Sequence, residues 1–358
     1  MKTDKYIRAA FLNGMENLRA VGKKKQLSLL NSARILGFYV YLSLLGFHSN
    51  SADLYKRNVF FVNGPLEERR SKNVRTEDKI FVRAFSRKKQ ELRGQITLPS
   101  LIPMVERIYL LLYSIITVPR GGNYLGRWFE YQLLVRVIMK YSFESISSYG
   151  HYDEFTYWLS ALSRLKGTKY NMYQHGVVTK MTIIPHKVHC DELHVFDKYS
   201  KAIFMENIIN NKKCRVFMEH YEPFVGFKKL AKKRGIKYIG VVDQNNTEWT
   251  REVVSEICKA NNSVAVIMPH PLRDAKDYIV NNYEKSRVMI NRAKFYNLDC
   301  LIFDNSTLFF DYLSFGFKGV FACTSKEAWE GQYKDFDVKF IPVHSIMNYL
   351  DNVQFAGC

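Results

Sequence analysis

The sequence predicts an α/β fold of two domains, each built around a mainly parallel sheet. Short β-rich segments alternate with helical segments along the whole chain, which is typical of parallel strands joined by helices. The chain has 358 residues and a hydrophobic content of 47%, enough for two cores. A basic segment containing Pro223 and Gly226 separates the two alternating halves and is typical of a connector.

Six strands and four helices are predicted in the first half. The strands are short runs of β-branched and aromatic residues, at 58–64, 79–85, 144–150, 170–176, 192–197 and 214–219. The helices are longer segments with apolar residues at helical spacing, at 24–47, 101–116, 123–140 and 155–165.

The second half repeats the alternation with six more strands. They cover 237–244, 263–269, 287–290, 298–304, 319–322 and 338–343. The clearest helices between them are Thr247 to Ala260 and Ser306 to Phe315. We therefore predict two Rossmann-like domains, residues 1–224 and 225–358, that face a central cleft.

Positive charge is concentrated near the beginning of the chain. The formal net charge is +19, and residues 1–120 hold 22 Lys and Arg against 9 Asp and Glu. Such a field suits three partners: nucleic acid, an anionic membrane leaflet or an anionic substrate. A merely solvated basic surface explains any single cluster, such as Lys23-Lys24-Lys25, better than it explains a bias so concentrated in one third of the chain.

Cysteine usage and hydropathy favour a cytoplasmic location. The six cysteines form no CxxC pair and no Cys/His cluster at zinc spacing, which argues against disulfides and a structural metal. Residues 1–25 lack the apolar core of a signal peptide. The most apolar stretches, 35–47 and 108–118, are shorter than the roughly 18 residues needed to span a bilayer. We expect both to be core helices, with contact of one with a membrane surface as the alternative.

Polar residues stand at four predicted strand ends, where ligands bind in parallel sheets. They are Gln174-His175-Gly176, Asp243-Gln244-Asn245-Asn246, His270 and Asp304-Asn305-Ser306-Thr307. His270 stands between Pro269 and Pro271, and each proline restricts its own φ and the residue before it. The resulting rigid imidazole, with Arg273 close behind, favours a binding role over an incidental histidine in a turn.

The segment 304–307 is a candidate anion site. Asn305, Ser306 or Thr307 can cap the following helix, whose free N–H groups and neighbouring hydroxyls attract phosphate. A plain helix cap explains the same residues, but the rigid His270 on a neighbouring strand end favours a phosphate site. The chain has no GxGxxG or GxxxxGK[ST] motif, so the usual dinucleotide and P-loop sites lack support.

The order VVDQ, MPHP and DNSTLFFDYLSFG resembles the C-terminal half of bacterial GT-B transferases that use cytidine-activated donors. Two branches are similar, over about residues 150–325. Bacterial sialyltransferases have an HP motif and a Ser/Thr pair that hold the CMP moiety. The CDP-glycerol glycerophosphotransferases of teichoic acid synthesis have an HP motif, a DYSS…FDY stretch and an upstream HG. The YQHG stretch here is also similar to capsule and surface-polysaccharide transferases.

The resemblance implies a GT-B glycosyltransferase that moves a sugar from a nucleotide-activated donor, such as CMP-sialic acid, to a saccharide acceptor. The product would be a bacterial surface glycan: capsule, O-antigen or lipooligosaccharide. The first domain would bind the acceptor and the second the donor. The nucleotide-binding residues would be Gln244, Asn245, His270, Pro271, Arg273, Ser306 and Thr307.

An inverting reaction without a metal or a cofactor is expected, because no DxD motif indicates an obligatory metal and cationic side chains can replace one. The sialyltransferase motif that supplies the base is absent, and Glu248 is only a loose counterpart. Two first-half sites compete for the role of proton acceptor: Asp153 and Glu154, beside His151, and His175, where Gly176 permits close backbone approach. The alternatives to a catalytic role are that Asp153 only caps a helix and that His175 is only a hydrogen-bonded histidine at the edge of the cleft.

Two other functions stay open on the sequence. A polyol-phosphate transferase of teichoic-acid type would use a CDP-alcohol on the same fold. A basic nucleic-acid-binding protein would explain the +19 charge and the aromatic content of 15%, but no RRM, KH, helix-turn-helix or zinc signature occurs. The expected partners are therefore a nucleotide-activated donor, a saccharide or lipid-linked acceptor and an anionic membrane surface, with the enzyme peripheral on the inner face.

Overall fold

The computed structural model describes most of the chain. The described residues are 2–20, 28–44, 57–63, 67, 78–82, 96–119, 122–150, 153–176, 178, 180, 182–218, 230, 233–243, 246–269, 287–290, 296–306, 308–314 and 316–353. The chain divides into two compact units, Met1–Glu219 and His220–Cys358. The sequence boundary was predicted a few residues later, at 224.

The first unit is built on a six-stranded parallel sheet. Its strands are β1 (Asn58–Val62), β2 (Asp78–Phe81), β3 (Ser145–Tyr149), β4 (Lys169–Tyr173), β5 (Glu192–Val195) and β6 (Arg215–Met218). Their order in the sheet is β2-β1-β3-β4-β5-β6, and every neighbouring pair is parallel. Its described helices are α1 (Lys2–Ala20), α2 (Leu29–Leu44), α3 (Met104–Thr117), α4 (Leu125–Lys140), α5 (Glu154–Lys166) and α6 (Lys198–Ile203).

Aromatic side chains join α1, α4 and α5 in the core of the first unit. Phe11 stacks on Trp158 with ring centroids 5.5 Å apart and meets Trp128 edge-on at 4.9 Å. Helices α1 and α5 approach closely at Gly14, where an added Cβ would lie 2.3 Å from Nε1 of Trp158. The glycine is therefore a packing requirement in a helix that would otherwise favour alanine.

The second unit has its own six-stranded parallel sheet and its own core. The strands are β7 (Lys237–Val242), β8 (Ser263–Met268), β9 (Val288–Ile290), β10 (Cys300–Phe303), β11 (Val320–Cys323) and β12 (Val338–Phe340). Their order is β12-β11-β10-β7-β8-β9. The described helices are α7 (Thr247–Lys259), α8 (Leu308–Ser314), α9 (Lys326–Gly331) and α10 (Ile346–Asn352). Helices α7 and α10 contribute their apolar residues to one core with the sheet.

The predicted α/β class and the parallel sheets are confirmed. All twelve predicted strands occur. Central strands such as β1, β8 and β10 are buried and leave continuous apolar runs in the sequence. Helices α1, α6, α9 and α10 were not predicted. Helix α1 is largely polar, and the other three are too short to show a clear helical period. Residues 24–27 and 45–47, predicted as the ends of α2, lie outside the described residues.

The prediction of a core helix is wrong for the stretch 108–118. Helix α3 turns Arg107, Leu110 and Ser114 toward the protein, where all three are buried. Its other side carries eight exposed apolar residues: Met104, Val105, Ile108, Tyr109, Leu112, Tyr113, Ile115 and Ile116. Among the residues that the structure describes, no helix is both long and apolar enough to cross a bilayer.

Candidate functional site

Two central strands of the second unit end where the winding of the sheet reverses. The chain runs from β7 outward to β8 and β9, then returns to β10 on the other side of β7 and continues to β11 and β12. Doubly wound domains with this order bind ligands at the carboxyl ends of the two central strands. The predicted binding segment 243–246 follows β7, and 304–307 follows β10, which pairs with β7. The fold therefore brings these two segments to one edge of the sheet.

The loop after β7 is tied to the neighbouring strand ends. Asp243 is buried, and its Oδ1 accepts a hydrogen bond from Oγ1 of Thr250 at 2.9 Å. Asn246 caps α7, because its Oδ1 accepts from the N–H of Trp249 at 3.2 Å. Nε1 of the same tryptophan donates to Oγ1 of Thr324, just after β11, at 3.1 Å. These contacts hold the described residues of the loop after β7 in place beside the end of β11.

The segment after β10 is held from two sides. Oγ of Ser306 accepts a hydrogen bond from the N–H of Leu308 at 3.2 Å, and the N–H of Ser306 donates to the hydroxyl of Tyr333 at 2.8 Å. The serine therefore has the capping contact that the sequence offered as an alternative to phosphate binding. Burial raises the pKa of Asp304, with a hydrogen bond to Thr324 acting in the opposite direction. A more easily neutralised carboxyl at this edge repels an anionic ligand less than an ordinary aspartate does.

The remaining predicted binding residues lie outside the described residues. They are Gln244, Asn245, His270, Pro271, Arg273 and Thr307. Strand β8, which leads into Pro269, is buried along its whole length and pairs with β7. The HP motif therefore follows the strand beside β7, and the roles of its residues stay predictions.

The first unit has a switch point of its own, between β1 and β3. The chain passes from β1 to β2 at one edge and then to β3 on the other side of β1. Flavodoxin-like sheets, which share the order 2-1-3-4-5, bind their ligand at this position. Asn63 and Glu67 follow β1, and His175 follows β4, next to β3. Polar groups from different strands thus gather at the carboxyl edge of this sheet as well.

His175 lies beside an acidic residue that the sequence analysis missed. Its Nδ1 is 3.9 Å from Oε1 of Glu67, whose Oε2 accepts a hydrogen bond from the N–H of Asn63 at 2.7 Å. The Glu67 side chain is 9% exposed and that of His175 is 36% exposed, so a buried carboxylate stands next to an imidazole that solvent can reach. This arrangement stabilises the imidazolium that forms when histidine accepts a proton. Its position shortly after strand 58–64 was the signal that could have identified Glu67.

Gln174 holds the backbone on either side of His175. Its Oε1 accepts a hydrogen bond from the N–H of Phe196 at 3.0 Å, and its Nε2 lies 2.8 Å from the carbonyl of Gly176 and 3.1 Å from Oγ of Ser200. Gln174 is itself buried. The loop carrying His175 is therefore fastened to the end of β5 and the start of α6.

Asp153 and Glu154 make contacts within the fold. Asp153 caps α5, since its Oδ1 accepts a hydrogen bond from the N–H of Thr156 at 2.7 Å. Glu154 is buried, and its Oε1 lies 3.0 Å from Nη1 of Arg127, which is also 3.0 Å from Oε2 of Glu130. The charge of Glu154 is therefore compensated inside the core, and its role as proton acceptor stays a prediction. Their neighbour at position 151 lies outside the described residues.

Comparison with known proteins finds distant structural likenesses. No known protein family and no curated protein sequence matches the chain. Methanocaldococcus jannaschii UDP-GlcNAc 2-epimerase, solved with UDP-GlcNAc and UDP, is 9% identical with a TM-score of 0.48, over 84% of this chain and 93% of the epimerase. Spinosyn rhamnosyltransferase SpnG is 8% identical with a TM-score of 0.46, over 75% and 81% of the two chains. A trehalose-6-phosphate synthase is 9% identical with a TM-score of 0.47, over 84% and 92%.

Proposed function

We propose that the chain is a GT-B glycosyltransferase that moves a sugar from a nucleotide-activated donor to a saccharide acceptor in the synthesis of a bacterial surface glycan. The observation that carries the proposal is the strand order of the second unit, in which the segment after β10 adjoins the end of β7. Nucleotides bind at such switch points. The residues there include Ser306, from the stretch that resembles cytidine-dependent transferases.

The proposed donor is cytidine-based, for example CMP-sialic acid. In this assignment His270 and Arg273 stabilise the leaving phosphate, together with the hydroxyls of Ser306 and Thr307. The loop with Gln244 and Asn245 contacts the nucleotide base. The support for these roles is the sequence resemblance and the position of the segments after β7, β8 and β10. Cationic and N–H-rich surroundings lower the barrier for departure of a phosphate.

Thermal-shift measurements with CMP, CDP, UDP, GDP and their sugars test the donor. We expect CMP or CDP to raise Tm, since a ligand that binds only the folded state stabilises it by about 2.7 kcal/mol at one hundred times its Kd. His270→Ala, and Ser306→Ala combined with Thr307→Ala, should reduce the shift, while His175→Ala should leave it unchanged. Absence of any nucleotide-induced shift would contradict the proposal. Turnover of CDP-glycerol would instead favour the polyol-phosphate transferase.

The proposed proton acceptor is His175, with Glu67 stabilising its protonated form. His175→Ala should lower turnover by roughly 10²-fold to 10⁴-fold without changing the Kd of the nucleotide, because general-base catalysis contributes about that much. Glu67→Gln should have a smaller effect, because it removes the negative charge beside His175 and keeps the size of the side chain. A matched control is His186→Ala, which removes another His–Glu pair of the same unit, between His186 and Glu16 at 2.7 Å. Equal activity of the His175 and His186 variants would remove His175 from the reaction.

The proposed reaction is inverting and needs no metal. The support for this is the sequence, in which cationic side chains such as Arg273 can take the place of a metal at the leaving phosphate. We expect turnover to persist in excess EDTA and the anomeric configuration of the donor to be inverted in the product, as read by NMR. Loss of turnover in EDTA that Mg²⁺ or Mn²⁺ restores would contradict metal independence while leaving the transferase assignment intact.

A further inference from the structure

Helix α3 has the reverse of the polarity expected of a helix on a protein surface. Its buried side includes Arg107 and Ser114, and its exposed side is apolar from end to end. The exposed apolar residues fall at positions 104/105, 108/109, 112/113 and 115/116, a spacing of three to four that forms one stripe along a helix. A stripe along fourteen residues is about 21 Å long. Monomeric soluble proteins rarely expose continuous apolar surfaces of this kind.

The exposure of this stripe is extensive. Val105 is 81% exposed and Ile116 is 83% exposed, at the two ends of the helix. Between them, the rings of Tyr109 and Tyr113 stack with centroids 6.3 Å apart, and both tyrosines are exposed. Tyrosine is enriched where an apolar phase meets water, because its ring is apolar and its hydroxyl is polar.

Charge around the helix favours an anionic partner. The single acidic residue of α3, Glu106, forms an ion pair with Arg136 of α4. Nζ of Lys140, at the end of α4, lies 3.5 Å from the carbonyl of Leu101, just before α3 begins. The acidic charge of α3 is therefore neutralised, and one cation, Lys140, lies near the start of the helix. Residues 1–120 as a whole hold 22 basic against 9 acidic residues. A second copy of the chain suits the stripe poorly, since both copies would carry a net charge of +19.

We propose that the exposed face of α3 is a membrane-binding face that lies in the headgroup region of an anionic bilayer. An interfacial helix places its apolar stripe at the boundary of headgroups and acyl chains, while basic residues beside it attract anionic lipids. With fourteen residues, α3 is long enough to lie along the surface of a bilayer over several turns. The inference is independent of the transfer reaction proposed above, because it rests on the exposed face of α3 and on the positive charge of the chain.

Co-sedimentation with vesicles of phosphatidylcholine and phosphatidylglycerol tests the proposal on the full chain. Leu112→Ser with Ile116→Ser should weaken binding to these vesicles roughly tenfold or more, because two exposed apolar side chains no longer enter the lipid. The matched control is Ile183→Ser with Met218→Ser, which removes two exposed apolar residues elsewhere in the same unit. Binding by the control should stay within about twofold of the wild type. Far-UV circular dichroism checks that both variants are folded.

A second measurement does not depend on weakening the helix. Ile116→Trp keeps the surface apolar, and its emission should shift to shorter wavelength and be quenched by brominated lipid in anionic vesicles. Three results would overturn the proposal. The first is that the wild type does not bind anionic vesicles, and the second is that the α3 variant binds them as well as the control does. The third is that the wild type is a dimer in analytical ultracentrifugation, does not bind vesicles, and becomes a monomer on Leu112→Ser with Ile116→Ser.

Discussion

At the scale of single residues, the stability of the first unit depends strongly on an ionic cluster in its core. The guanidinium of Arg127 stands between the carboxylates of Glu130 and Glu154, and Glu130 also accepts a hydrogen bond from the hydroxyl of Tyr39 at 2.8 Å. All three charged side chains are buried. Such charges are tolerated because they compensate one another, and removal of one partner leaves the buried charges of the others less compensated.

We predict that Arg127→Leu lowers the free energy of unfolding by about 3–5 kcal/mol, because it leaves two buried carboxylates without their cation. The matched control is Arg57→Leu, which removes a solvent-exposed pair between Arg57 and Asp78 at 3.0 Å. That change should cost about 1 kcal/mol or less. Urea unfolding followed by circular dichroism measures both. Similar midpoints for the two variants would show that the buried cluster contributes no more than a surface pair.

A pair of thiols gives a prediction about pH. Sγ of Cys190 and Sγ of Cys214 lie 3.4 Å apart. The hydrogen bond from Cys190 lowers the pKa of the Cys214 thiol, against the opposing effects of burial and nearby carboxylates. Cys190→Ala should therefore raise the pKa of Cys214 and move its alkylation by iodoacetamide to higher pH, since only the thiolate reacts. Mass spectrometry of alkylated peptides across pH measures this shift.

The control for the thiol pair is Cys258, whose pKa is raised by burial and which lies in the other unit. Its alkylation profile should be the same in the wild type and in Cys190→Ala. A Cys214 profile that does not move would show that the hydrogen bond between the two thiols does not control the reactivity of Cys214.

At the scale of elements, the contact between α1 and α5 depends on a missing side chain. A Cβ at Gly14 would meet Trp158 at 2.3 Å and 2.7 Å. We predict that Gly14→Ala destabilises the protein by roughly 1–3 kcal/mol, the usual cost of overpacking, although alanine is the better helix former. Gly37→Ala, in α2, is the control, because an added Cβ there meets nothing within 4 Å. It should stabilise by up to about 1 kcal/mol.

Measuring the Tm of the two glycine variants by thermal unfolding tests this prediction. A lower Tm for Gly14→Ala together with an equal or higher Tm for Gly37→Ala is the expected pair of results. If both variants gain stability, helix propensity outweighs the cost of overpacking at position 14.

At the scale of the whole molecule, each unit has a complete sheet and core. The second unit holds six strands in one sheet, with α7 and α10 packed on it. We predict that residues 220–358 fold when expressed alone, because a unit with its own core needs no contacts from elsewhere to bury its apolar surface. Cooperative thermal unfolding with a near-UV circular dichroism signal is the expected observation. A non-cooperative melt without near-UV signal would show that the second unit needs the first.

Much of the fold could be predicted from the sequence because the signal for a buried strand is local. The runs that became β1, β8 and β10 are apolar over consecutive residues, so no knowledge of their neighbours was needed. The same holds for the segment 304–307, whose polar residues interrupt an apolar pattern at a strand end. Helix α1 was missed because its first half is exposed and its sequence is rich in polar residues, while its buried residues, such as Phe11 and Leu18, lie in its second half.

The sequence by itself determined which segments are strands, that two α/β units follow each other, and which polar residues stand at strand ends. The tertiary structure decided that β10 lies beside β7, that Glu67 meets His175, that Glu154 is buried against Arg127 and that α3 turns its apolar side outward. Secondary structure follows from the pattern of a few neighbouring residues. Strand order, charge pairing and the side of a helix that is covered depend instead on residues far apart in the chain, which meet only when the whole unit has folded.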